Sequence, residues 1–85
     1  MQNIVIEMPL DHYNRFLNQC DRTSRHYAIL SAGAIIRQRK AGGFEHVVKI
    51  PCTLHEAKGL MDRATDVYPE VTSHIKDALA AARDS

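Results

Sequence analysis

The sequence contains no tryptophan, only two cysteines and no apolar run near the length of about 20 residues that crosses a membrane. Cys20 and Cys52 are too few for the disulfide framework of a small secreted domain, so we expect free thiols. The first residues also lack the basic and then apolar layout of a signal peptide. We therefore expect a cytoplasmic protein that does not enter a membrane.

Two kinds of ligand site lack their usual motifs. Gly42 and Gly43 are not followed by the lysine and the serine or threonine of a phosphate-binding loop. The five histidines and two cysteines include one close pair, Cys52 and His55, whereas zinc sites usually combine two such pairs. The sequence therefore predicts neither a metal nor a cofactor.

The length and composition indicate one small globular domain that spans residues 1–85. Apolar residues make up 45% of the chain and charged residues 25%, which excludes disorder as the general state. A chain of 85 residues buries only about 60% of the surface that its unfolded chain exposes, so we expect a monomer to be marginally stable. We therefore expect a partner, most simply a second copy of the chain.

Residues 44–56 carry a strand, a proline and a helix start in close succession. Residues 44–50 are rich in β-branched side chains and predict a strand, and Pro51 is expected to end it because proline cannot donate to a ladder. Thr53 is then an N-cap, and Glu56 three residues later completes a capping box. A helix is therefore predicted from Leu54 to about Tyr68, and Pro69 begins or kinks a last helix.

The same order of strand, proline, cap and helix occurs earlier in the chain. Residues 3–8 predict a strand, Pro9 follows, and Asp11 is expected to cap a helix that reaches about Gln19. Residues 5–9 resemble residues 47–51, with proline last in both. The sequence therefore predicts two βα units. These units are either a true repeat or two unrelated strand-to-helix junctions that look alike.

The apolar segment 27–36 has two interpretations. In the one we favour it is a helix that ends at Lys40, because three alanines, a basic last turn and Gly42 as a C-cap all agree with it. In the other, residues 27–38 form a strand that turns through residues 40–43 into the next strand. The first gives an α+β sandwich of two layers whose small sheet is completed by dimerisation, and the second gives β-α-β-β-α.

Positive charge is concentrated in the middle of the sequence. Residues 22–49 hold six basic residues against one acid, Glu45, although the whole chain has a net charge of only +1. Such a segment can hold phosphates without reading a base sequence. A nucleic-acid-binding regulator is therefore one functional alternative, and its candidate residues in segment 22–40 are Arg22, Arg25, Arg37, Arg39 and Lys40.

Cys52 carries the other alternative, a thiol-dependent enzyme or redox protein. A cysteine just before an N-cap faces the positive end of a helix dipole, which lowers the thiol pKa, and His55 can reach it from the first helical turn. However, the sequence has no second cysteine nearby and no recognisable catalytic set. We therefore expect a non-catalytic interaction or regulatory protein, a homodimer that binds another protein.

Overall fold

The structure is a computed structural model that describes residues 3–84, with side chains described for residues 3–82. Within this range the chain folds into three strands, four helices and a short 3-10 turn at Pro69–Val71. In chain order the elements are β1 (Asn3–Pro9), α1 (Leu10–Gln19), α2 (Arg25–Ser31), β2 (Ala34–Lys40), β3 (Gly43–Thr53), α3 (Leu54–Val67) and α4 (Thr72–Asp84).

The three strands form one antiparallel sheet in the order β1-β3-β2, so β3 is the central strand. In the β1–β3 ladder Val5 lies opposite Pro51 and Pro9 lies opposite Val47. The two similar segments, 5–9 and 47–51, are therefore direct antiparallel partners. Their origin as a repeat stays a prediction.

The hydrophobic core lies between the helices and one face of this sheet. Alternate residues of β1 and β3 point into it because successive side chains of a strand face opposite sides. On the helical side, α1, α2 and α3 pack over this face, while α4 packs against β1 and α3. The predicted α+β class is thus confirmed. The largest fully buried side chains are Ile6, Met8, Phe16, Leu30, Val48, Ile50, Leu60, Val71 and Ile75.

The favoured helix through Lys40 is wrong, because the chain leaves the helix at Ser31 and enters β2 at Ala34. A Cβ atom on Gly33 would lie 2.7 Å from Cγ1 of Val48, so the backbone here runs close against the sheet. A tight turn through Ala41 and Gly42 then joins β2 to β3, and Gly42 has the φ of 89° that glycine adopts without strain. The hairpin alternative gives the correct strands.

That alternative is wrong about the start of the strand, which it placed at residue 27, because residues 27–31 are helical and β2 runs from Ala34 to Lys40. Ser24 caps α2 through a hydrogen bond that its hydroxyl accepts from the backbone N–H of Tyr27 at 3.2 Å. The apolar segment is thus divided into a short helix followed by a strand. Both interpretations had treated it as a single element.

The caps were predicted with mixed success. The capping box of α3 is confirmed, since the Thr53 hydroxyl accepts from the Glu56 N–H at 3.1 Å and the Glu56 carboxylate accepts from the Thr53 N–H at 2.8 Å. The Asp11 cap is wrong, because α1 begins at Leu10 with Pro9 as a cap that makes no side-chain hydrogen bond. Proline pre-sets a suitable φ for entry into a helix, so no side-chain cap is needed for the turn.

Pro51 does not end β3, which continues to Thr53. The β2–β3 pairing stops at Lys49, so at Pro51 the central strand has a neighbour, β1, on one side only. Proline is tolerated at such an edge position because no ladder hydrogen bond has to be lost there. Between α3 and α4, Pro69 begins a 3-10 turn, so α3 and α4 are separate helices.

No helix in the described part of the chain combines the length and the apolar character needed to cross a bilayer.

Candidate functional site

The hairpin of β2 and β3 extends past the helices, so the core-facing side of the sheet changes from buried to exposed along β3. Val48 and Ile50 are fully buried, whereas Phe44 on the same side is 55% exposed and His46 is exposed as well. Ile35 of β2, opposite Val48, is 57% exposed. We call these exposed residues the distal surface: Ile35, Arg37, Arg39, Phe44 and His46.

An arginine and an aromatic ring stack on each other at the centre of the distal surface. The guanidinium carbon of Arg37 lies 3.9 Å from the centroid of the Phe44 ring, a distance typical of a cation–π contact. In the ladder, Arg37 lies opposite His46 and Arg39 lies opposite Phe44. The strand pairing therefore brings two positive charges, a ring and an imidazole into one cluster.

Lys40 does not belong to this cluster, although the sequence grouped it with Arg37 and Arg39. Alternation along β2 places Lys40 on the other face of the sheet. There its ammonium group forms an exposed ion pair of 3.2 Å with Glu45. Glu45 is the only acid in residues 34–53, but carboxylates border the distal surface at His46, since Asp11 and Glu45 line a cleft together with it.

Arg25 also lies apart from the distal surface, and Arg22 is exposed in the turn between α1 and α2. Arg25 lines a surface cleft of about 200 Å³ together with His55 and Glu56, which follow the far end of β3. Thr53 is nine residue steps along β3 from Phe44, or about 30 Å at 3.3 Å per residue. Arg25 therefore lies at the opposite end of the sheet from Arg37 and Arg39, and the basic segment does not form one site.

The environment of Cys52 differs from the one expected for a reactive thiol. Cys52 lies on the core side of β3 and is 5% exposed. Burial, with a smaller contribution from the charge of Glu56, raises its pKa to about 11. His55 is exposed and lines the cleft, and the described residues include no hydrogen bond between it and Cys52. At neutral pH this thiol is protonated and shielded, which suits a core side chain.

The opposite face of the sheet is partly exposed, with Val5 at 52% exposure and Val47 at 3%. α4 borders it at β1, where Val5 and Glu7 line a cleft with His74, Asp77 and Ala78. Glu7 and Lys49 are direct ladder partners on this side, and Lys40 pairs with Glu45. We call the more exposed residues of this side the open face: Val5, Glu7, Ile36, Lys40, Glu45, Lys49 and Pro51.

Two histidines meet where α1 approaches α4. Nδ1 of His12 lies 3.3 Å from Nε2 of His74, and the Tyr68 ring contacts His12 edge-on. Burial, followed by the charge of His12, lowers the pKa of His74, while Asp77 opposes this shift. Pattern analysis missed the pair because the residues are far apart in sequence. Among the described residues no three potential ligands gather into a metal site.

The sequence did not predict Ile35 and His46 as site residues, because only the pairing of β2 with β3 brings them beside Arg37 and Arg39. The alternation Ile35, Arg37, Arg39 was the available signal, since two arginines on the same strand face are incompatible with a buried surface. Comparison of the chain with protein-family models, curated protein sequences and solved structures found no match.

Proposed function

We propose that this protein is a non-catalytic, homodimeric binding protein that contacts another macromolecule through its distal surface. The observation that carries the proposal is the exposure of Phe44 and Ile35 on a sheet side whose other half forms the core. Exposed large apolar side chains that cluster with arginine are typical of contact surfaces. We place the protein in the cytoplasm, because its two cysteines are free thiols, as a reducing compartment favours.

The second copy is assigned to the open face. A two-fold interface brings the same patch of both subunits together, so it must be complementary to itself. The open face meets this requirement because it carries both acids and lysines: Glu7 lies opposite Lys49 in the ladder, Glu45 pairs with Lys40, and Val5 is exposed on the edge strand. The distal surface does not, because its arginines would face the arginines of the other copy.

The molar mass in solution tests the dimer. We expect about twice the 9.6 kDa of the monomer by light scattering at micromolar concentration, and a fall toward the monomer mass on dilution. Val5→Lys should shift the protein to monomer, because it replaces the exposed apolar side chain of the open face with a charge. The circular dichroism spectrum should stay that of the wild type, since Val5 is half-exposed.

Ile35→Lys is the matched control, because it adds the same charge at a similarly exposed aliphatic residue on the other side of the sheet. This variant should remain a dimer. A wild-type protein that is monomeric at all concentrations would remove the dimer from the proposal. If both variants dissociate equally, the second copy does not sit on the open face.

A further inference from the structure

We propose that the macromolecule bound by the distal surface is single-stranded nucleic acid. This inference rests on the function proposed above and gives the partner its chemical class. Three features of the surface lead to it: a stacked arginine and ring, a net positive charge on the hairpin, and large apolar side chains that are left exposed.

The stacked pair offers a platform for bases. Unpaired bases bind to proteins by stacking on aromatic rings and on the flat guanidinium group of arginine. Arg37 is already held over Phe44 at 3.9 Å, so less conformational entropy is lost when a base stacks on the pair. In a duplex the faces of the bases are hidden within the stack, so this platform favours single strands.

The charge of the hairpin suits a phosphate backbone. Residues 34–53 hold four basic side chains, Arg37, Arg39, Lys40 and Lys49, and one acid, a net charge of +3 in a chain of net charge +1. The rest of the chain is therefore negative, so the field of the molecule directs a polyanion toward the hairpin. Arg39, opposite Phe44 in the ladder, is placed to contact the phosphate beside a stacked base.

The same charges disfavour the other occupants of this surface. A second copy would bring Arg37 and Arg39 of both chains together, and the repulsion between these charges opposes that contact. An acidic peptide would satisfy the charges, but it offers no flat ring system for the Arg37 and Phe44 pair. The surface is small, so we expect it to hold about two or three nucleotides.

Fluorescence anisotropy with labelled probes, including oligonucleotides ten nucleotides long, tests the inference. The probes are oligo-dT, oligo-U, a DNA duplex of equal charge and a polyglutamate peptide, each titrated with the full chain at 20 and 200 mM KCl. We expect the single strands to bind and the affinity to fall about 25-fold over this range, as two phosphate contacts predict from a slope of about −1.4. The ratio of the affinities for oligo-U and oligo-dT then shows whether the surface prefers RNA or DNA.

Variants separate stacking from charge. Phe44→Leu keeps an apolar side chain but removes the ring, and it should weaken binding about tenfold with little change in salt dependence. Arg39→Ala should weaken binding and reduce the salt slope by about 0.7. Arg25→Ala is the matched control, since it removes the same charge from the same basic segment at the far end of the sheet, and it should change affinity less than about twofold.

Several outcomes would overturn the inference. These are no binding of either single strand at 20 mM KCl, equal loss of affinity in Arg25→Ala and Arg39→Ala, or polyglutamate and duplex bound as tightly as oligo-dT. The last result would identify a general site for acidic partners. If the oligonucleotides do not bind while the protein remains a dimer, only the partner class is wrong, because the molar mass does not depend on the oligonucleotides.

Discussion

The two halves of β3 belong to one continuous strand and have opposite surroundings. The half that contains Val48 and Ile50 packs under the helices, whereas the half that contains Phe44 and His46 carries side chains of the same strand face into solvent. The difference arises from the length of the neighbouring elements, because an eleven-residue strand extends beyond the helices that cover it. An apolar side chain on a strand therefore stabilises the fold or presents a surface according to what lies above it.

The largest effect should come from the covered half. Ile50→Ala should lower the free energy of unfolding by about 2–5 kcal/mol, because Ile50 is fully buried and its loss leaves a cavity. Phe44→Ala removes a larger side chain but should cost less than about 1 kcal/mol, the size of an exposed cation–π contact. Chemical denaturation of both variants measures the contrast. Equal losses would mean that the distal half of the strand is also part of the core.

A smaller effect should come from Gly33, where the chain passes from α2 to β2. Gly33→Ala should cost about 1–3 kcal/mol, because the added methyl group lies 2.7 Å from Cγ1 of Val48 and 3.1 Å from the Leu30 carbonyl oxygen. Val48→Ala should relieve part of this clash. The double variant should therefore be more stable than the sum of the two single losses predicts, and strict additivity would show that the two sites do not interact.

The smallest effect should be a pH dependence that originates in the helical layer. The folded protein lowers the pKa of His74, mainly by burial, so the unfolded chain binds the proton more readily. The contribution of neutral His74 to the free energy of unfolding is therefore fully present above the ordinary histidine pKa of about 6.5, and it is lost as the pH falls below that value. His74→Gln should flatten the curve of unfolding free energy between pH 7.5 and 5. An unchanged curve would show that another group controls it.

Local rules in the sequence predicted much of the fold. The strand of residues 3–8, the helix face of Tyr13 and Phe16, and the Thr53 and Glu56 capping box depend on residues a few positions apart, and all are found. The helix through Lys40 failed because the deciding contact, Gly33 against Val48, joins residues from different elements. Helical composition alone could not reveal it.

The candidate site was predicted less well, for a related reason. Arg37 and Arg39 were identified from their charge, but the same reasoning added Arg22, Arg25 and Lys40, and the fold places Arg25 and Lys40 elsewhere. Lys40 and Arg39 lie on opposite faces of the sheet because side chains alternate along a strand. Arg25 is separated from the hairpin by most of the length of β3. A cluster in sequence becomes a cluster in space only when the element that carries it is known.

The position of β3 in the sheet also sets an order of folding. β2 and β3 are joined by a two-residue turn, and such hairpins form in about 1–10 μs, whereas β1 reaches β3 only after two helices and a strand have been brought together. We therefore expect the hairpin to form early and β1 to dock on it later. The surface assigned to binding is then among the first parts of the molecule to take shape, before the core that fixes it in place.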